Sequence, residues 1–197
     1  VTTGSNNTAI GHTALYKLTT QSDNTAIGRA ALSNTRAIYN TAIGSQALQE
    51  NSTGANNSAL GYRALEDNTI GQYNVAVGYQ ALRYSTTGNE NTAVGYRTLY
   101  SNTEGYRNVA IGKEALVVNT AGAQNTALGY KALNLNTVSN NTAVGAMSLF
   151  VNTTGIENVA VGFQSMYSNT TGQGNIAIGG EALYTNTIGN YNVAVGH

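Results

Sequence analysis

The sequence predicts an all-β fold, a parallel β-solenoid or β-roll of about twelve 17-residue coils. Three observations carry this expectation. A pentapeptide Asn-x-Ala-(Ile/Val/Leu)-Gly, with Thr or Val most often at x, begins at positions 7, 24, 40, 57, 74, 91, 108, 125, 141, 158, 175 and 192, with spacings of 17 or 16 residues. Glycine interrupts every unit, so no helix pair fits between the breaks. Proline is absent from all 197 residues, as expected where most backbone N–H groups donate to a neighbouring coil.

Numbering one unit from its leading Asn as slot 1 gives Asn-Thr-Ala-Val-Gly-Tyr-x-Ala-Leu-x-x-Asn-Thr-Thr-Gly-x-x. Slots 1 to 5 alternate in side-chain character with the period of a strand, and slot 5 is Gly in all twelve copies. The short apolar pieces between breaks and the second common Gly at slot 15, as in Gly54, Gly71 and Gly88, predict two short strands and two turns per coil. At a strand spacing of about 4.8 Å the coils make a rod on the order of 55 Å long. Residues 1–197 form a single tandem-repeat segment, and Val1–Asn6 reads as the tail of an earlier unit in a longer array.

Slot 4 is always Ile, Val or Leu, and slot 9 is Leu except for Met166. These two stripes are expected to line the inside of the coil. Slot 3, on the opposite face of the strand, is Ala in twelve of twelve copies, which suggests a position pressed against a neighbouring backbone. Two large apolar residues per 17 make a thin core, so sister chains are expected to cover the Ala face and complete the burial. The Asn column at slot 1 (Asn24, Asn40, Asn57, Asn74, Asn91, Asn108, Asn125, Asn141, Asn158, Asn175) and the Asn found in most units at slot 12 are expected to stack as amide ladders at the coil corners. The same composition creates Asn-x-Ser/Thr sequons at Asn6, Asn51, Asn56, Asn140, Asn152 and Asn169.

Composition restricts function. Nine basic residues balance nine acidic ones and only 9% of the chain is charged, which argues against nucleic-acid partners and attraction to anionic membranes. There is no cysteine, hence no disulfide framework or thiolate metal site. No apolar run approaches the roughly 20 residues that span a bilayer, and the first residues lack signal-peptide character, so any export signal or anchor is expected outside this segment. His12 and His197 both occupy the variable slot 6, the only adjacent carboxylates are Glu66 and Asp67, and Gly172–Gly174 lacks the strand–loop–helix context of a phosphate cradle. No catalytic site, cofactor or metal is expected. A glycan-degrading solenoid would need acids clustered in a groove, and the sequence shows none.

Charged residues stay out of slots 1 to 5, 8 and 9 and gather at slots such as 6, 7, 10, 11 and 17, which marks the solvent side. Aromatic residues share it. Slot 6 carries Tyr62, Tyr79, Tyr96, Tyr130 and Phe163, and slot 10 carries Tyr16, Tyr100, Phe150, Tyr167 and Tyr184. Rings repeated along a rod are candidates for contacting a glycan or a protein receptor. The plainer alternative is that they cover Leu stripes and neighbouring chains.

The Asn24–Gly28 and Asn158–Gly162 segments resemble the head repeats of trimeric autotransporter adhesins of the YadA type, and the longer Asn91–Gly105 unit is similar to arrays in phage tail fibres. The resemblance covers the whole chain, although these units are longer than the adhesin head repeat. It implies a left-handed roll, a homotrimer of intertwined chains, an extracellular place on a virion tail or bacterial cell surface, and attachment to a host or matrix surface. The expected function is therefore a structural or adhesive fibre segment. A monomeric ice-binding β-solenoid is the alternative, weakened by the mixture of Thr, Ser, Val and Ile at slot 2.

Overall fold

A computed structural model describes residues 3–197. The described residues form a parallel β-solenoid without helix, in which twelve three-residue strands, from β1 (Thr8–Ile10) to β12 (Val193–Val195), form one sheet in strict sequence order. Each strand spans slots 2 to 4 and pairs in register with the same slots of the next coil, as in Ala76↔Ala93 and Val77↔Val94. The ladder extends past the strand at both ends. The slot-2 N–H of Thr92 donates to the Asn108 carbonyl at 2.8 Å, and the slot-5 N–H of Gly95 donates to the Val77 carbonyl at 2.8 Å.

Each coil holds one strand where two were expected. The opposite side does carry coil-to-coil bonds, as where the slot-13 N–H groups of Thr69, Thr86 and Thr103 donate in turn to Thr86, Thr103 and Thr120 at 2.9 to 3.0 Å. Its backbone, however, turns too sharply to be extended. Non-glycine residues at slots 7, 9 and 17 have φ near +50 to +60°, for example Arg97 at 51°, Leu99 at 50° and Glu90 at 56°. The requirement at slot 9 explains its composition. A left-handed φ is tolerated by an unbranched Cβ and strongly disfavoured by a β-branched one, so the position takes Leu or Met and never Ile or Val. Slot 5 is more extreme: Gly61 has φ +139°, and a Cβ there would run into the carbonyl oxygen of Gly78 one coil away.

The slot-9 stripe lies inside the coil as the sequence predicts, but the two faces of the strand are the reverse of the expectation. Slot-3 Ala residues such as Ala76, Ala93 and Ala110 are fully buried within their own chain, together with the slot-8 Ala and slot-9 Leu stripes. Slot 4 points outward, where Leu60 is 48% exposed, Ile111 43% and Ile178 42%. The reason is room. Coils separated by one strand spacing leave an interior that holds one large side chain per turn. Leu takes that place from the turn side, so the facing strand can contribute only a methyl group. The Ala face thus needs no sister chain, and the large residue of the strand is left outside.

Two amide columns complete the interior. Asn108 is fully buried, and its backbone N–H and Nδ2 both donate to Oδ1 of Asn91, at 3.0 and 3.1 Å, while Nδ2 also donates to the Gly122 carbonyl at 2.8 Å. The same pattern repeats at Asn74, Asn91, Asn125, Asn158 and Asn175. At slot 12, Asn68 donates to Asn51 Oδ1 at 2.7 Å and to the Gly71 carbonyl at 3.0 Å.

Candidate functional site

The outward surface divides into a strand face and a turn side, because successive strand residues alternate and slot 5 ends the strand. On the strand face, slot 2 presents Thr, Ser, Val or Ile and slot 4 presents only aliphatic residues, with no charge at either slot in any coil. Val75, Val109 and Ile176 join Leu60, Ile111 and Ile178 among the exposed large apolar residues. The slot-4 residues make an aliphatic file along the sheet, flanked at slot 2 by Thr or Ser in seven coils and by Val or Ile in five. Sequence reasoning missed this file as a surface by assigning slot 4 to the interior.

The slot-6 aromatics begin the turn side. Tyr62, Tyr79 and Tyr96 stack on one another, each pair with ring centroids 5.3 Å apart and interplanar angles of 26° and 8°. Rings at neighbouring coils fall at stacking distance because the coil rise approximates the separation of offset aromatic planes. Cations close the column. Arg63, held by a 3.0 Å bond from its Nε to Gln46, lies 5.1 Å over the Tyr62 ring, and Lys113 occupies the coil between Tyr96 and Tyr130, 5.6 and 6.0 Å from their centroids. The faces of Tyr62, Tyr79 and Tyr96 are therefore engaged by the chain itself, and their edges meet solvent. Tyr130 has no ring partner, and Phe163 has neither ring nor cation against it among the described residues. The slot-10 residues Phe150, Tyr167 and Tyr184 form a second stack, at 5.1 and 5.2 Å. Tyr16 at the same slot is well exposed, and Tyr100 meets Tyr84 edge-on at 4.8 Å.

Charged side chains join adjacent coils on this side. Arg83 Nε contacts Glu66 at 2.7 Å, Arg107 contacts Glu90 at 2.9 Å, and Lys131 contacts Glu114 at 3.5 Å. Burial, followed by the neighbouring Glu66 charge, pushes the Asp67 carboxyl above the ordinary range, with Arg83 pulling in the opposite sense. Among the described residues no group of three or more His, Cys, Asp or Glu could hold a metal ion. His12 and His197 stand in the first and last coils. No described helix is long and apolar enough to cross a membrane.

The sequons separate by burial. Asn51, Asn152 and Asn169 are fully buried in the slot-12 column, whereas Asn6, Asn56 and Asn140 at slot 17 are exposed. Only the second group presents an amide to solvent.

No family model, curated protein or solved structure matches the chain.

Proposed function

We infer that the chain is a segment of a homotrimeric extracellular fibre, left-handed in its winding, which extends from a virion tail or bacterial surface and contacts a host or matrix surface. The observation that supports this reading is the uncharged strip at slots 2 and 4. An aliphatic file running about 55 Å along a rod is a surface that soluble chains cover, and identical chains packed side by side cover it along its whole length. Each chain closes its own core, so the trimer is one of docked rods whose strips meet, with the aromatic side left free for a glycan or a protein receptor. The number three comes from the resemblance to adhesin heads and tail fibres. The rod has the regular surface of a spacer or adhesive scaffold and offers no clustered acid groove for chemistry.

Solution mass by light scattering after size exclusion tests the reading. Three times the 20.5 kDa chain mass is the expected result. The double variant Leu60→Glu, Ile111→Glu places charges on the strip without entering the core, so it is expected to give folded monomers. A monomeric wild type overturns the fibre and favours the ice-binding alternative, for which the slot-2 hydroxyls of Thr8, Thr25, Thr41, Thr92, Thr126 and Thr142 supply ranks at strand spacing. Ice-binding has the aliphatic slot 4 against it, since that rank offers ordered water no hydroxyl.

A further inference from the structure

Aromatic rings meet in two ways in this chain. Along slots 6 and 10 they lie in line and stack, with centroids 5.1 to 5.3 Å apart and interplanar angles of 5 to 26°. Tyr84 and Tyr100 break that pattern. Tyr84 is the only aromatic residue at slot 11, and its partner is the slot-10 residue of the next coil. Their ring centroids are 4.8 Å apart at an interplanar angle of 73°, Tyr100 donates its hydroxyl to that of Tyr84 at 3.3 Å, and the Tyr84 N–H donates to the Tyr100 carbonyl at 3.1 Å. We propose that this pair is an oxidative modification site, at which a one-electron oxidant joins the two rings into a dityrosine bridge between coils five and six.

The chemistry needs two phenoxyl radicals in contact. Each phenol gives one electron to the oxidant and its hydroxyl proton to water. The radicals then join through one Cε of each ring, and the hydrogens on the joined carbons move as protons to the two oxygens and restore both phenols. In sum two electrons pass to the oxidant, two protons pass to water, and one C–C bond replaces two C–H bonds. The product is a 2,2′-biphenol, with its rings twisted out of a common plane and its hydroxyls side by side. Tyr84 and Tyr100 already hold both features. The stacked pairs present their faces to each other, so a bond between ring edges would pull both rings out of the column. The well-exposed Tyr16, Tyr39 and Tyr191 have no ring partner among the described residues, so a radical there has none to meet within the chain.

The surroundings favour the same pair. Arg83 lies 4.7 Å over the Tyr84 ring, is anchored to Glu66 at 2.7 Å and donates from Nη1 to Tyr100 Oη at 3.3 Å, while Arg97 lies 4.1 Å over the Tyr100 ring. These contacts fix both rings. Burial resists ionisation of Tyr100, but hydrogen bonding to Tyr84 and Arg83 outweighs it and holds the phenol below its ordinary 10.0. Its proton therefore leaves readily with the electron, and the neutral radical that remains is not repelled by either guanidinium. Both residues are half-buried, within reach of a small oxidant. The chain has no cysteine and hence no disulfide, and a bridge between residues 84 and 100 would constrain the unfolded chain as a disulfide does. This site stands independently of the fibre reading.

The test is photo-oxidation of the chain with tris(bipyridine)ruthenium and persulfate, which supply a one-electron metal-complex oxidant, followed by dityrosine fluorescence and tryptic mapping. The expected product is a single chain lighter by two hydrogens, in which peptides 84–97 and 98–107 are joined through Tyr84 and Tyr100 and the urea midpoint is raised. Tyr84→Phe and Tyr100→Phe each keep the ring and the fold, and each should abolish the joined peptides. Tyr79→Phe, in the stacked column, should leave them unchanged. Oxidation in urea should remove the preference for this pair. A chain that forms no dityrosine, links made chiefly within the stacked columns or between chains, joined peptides that survive Tyr84→Phe, or a bridged chain with an unchanged urea midpoint overturns the proposal.

Discussion

The two asparagine columns do the same chemistry with different regularity. Slot 1 is Asn in every coil, whereas the slot-12 column is interrupted by Leu18, Thr35 and Ser85. Slot 1 precedes the strand, and each amide there satisfies the N–H of the next slot-1 Asn and the carbonyl at slot 15 of its own unit, as Asn91 does for Asn108 and Gly105. An interruption would orphan buried backbone groups inside the sheet ladder. Slot 12 lies in the turn, where Asn102 serves the carbonyl of Gly105 three residues on. The loss of an amide there leaves mostly a side-chain vacancy. Ser85 shows it: its Oγ and the Oδ1 of Asn68 below it are both buried without a hydrogen-bond partner.

The sharpest way to break the comparison is Asn108→Ala. It removes the bond to the Gly122 carbonyl and leaves the N–H of Asn125, now bonded at 3.0 Å, without an acceptor. Urea unfolding should show a loss of about 3 kcal/mol, the cost of orphaning one buried N–H together with the lost bonds to groups that keep another partner, such as the Gly122 carbonyl, which still accepts from Asn119. Asn102→Ala in the turn column removes a bond to Gly105 and the acceptor for Asn119 Nδ2, which keeps its own 2.9 Å bond to Gly122; a smaller loss of about 2 kcal/mol is expected in the same titration. Ser85→Asn repairs the interruption by giving Asn68 Oδ1 a donor and the Asn102 amide an acceptor. It should stabilise the chain by about 1 kcal/mol, seen as a higher urea midpoint. If the repair is neutral, the turn column contributes nothing and the contrast between columns is total.

The smallest effect is electrostatic. Because burial raises the Asp67 carboxyl from its ordinary 3.8, ionisation opposes the folded state. That penalty is absent below the ordinary value and fully present above the raised one. Stability contributed by this group should therefore fall slightly as pH rises through that window, and Asp67→Asn should flatten the thermal midpoint across it.

Much of the fold is legible in the recurrence alone. Period, strand position, glycine breaks and amide stacking all follow from residues that repeat at fixed slots. The direction of the strand does not. Alternation at Thr-Ala-Val separates two faces without saying which is inside, and the ordinary preference for burying the larger apolar residue points the wrong way here. Recurrent Ala at slot 3 was the signal: beside a Leu at slot 9, a narrow coil has room only for a methyl group. The left-handed residues at slot 7 were hidden because Gln, Arg, Glu and Lys carry no mark of such a conformation, whereas slot 17 was only partly marked, by Asn6, Asp23, Asn56 and Asn140. The ring column could be located from slot 6, but not that Tyr62, Tyr79 and Tyr96 spend their faces on each other, since this depends on coil rise.

The two 16-residue units show where the rod accommodates change. In both, the missing residue falls between slots 12 and 15. Ala37 and Val138 take the place of the slot-15 glycine, and their carbonyls accept the same bonds, from Asn24 at 2.9 Å and Asn125 at 2.8 Å. A one-residue deletion inside a strand would exchange the faces of everything after it. Here the backbone N–H of the next slot-1 Asn donates to Oδ1 of its predecessor, at 3.1 Å from Asn40 to Asn24 and 3.0 Å from Asn141 to Asn125, so the coils that follow resume in phase. The turn absorbs length errors and the amide column resets the count. An array of this kind can gain, lose or shorten units by unequal recombination while every surviving coil presents the same two outer faces.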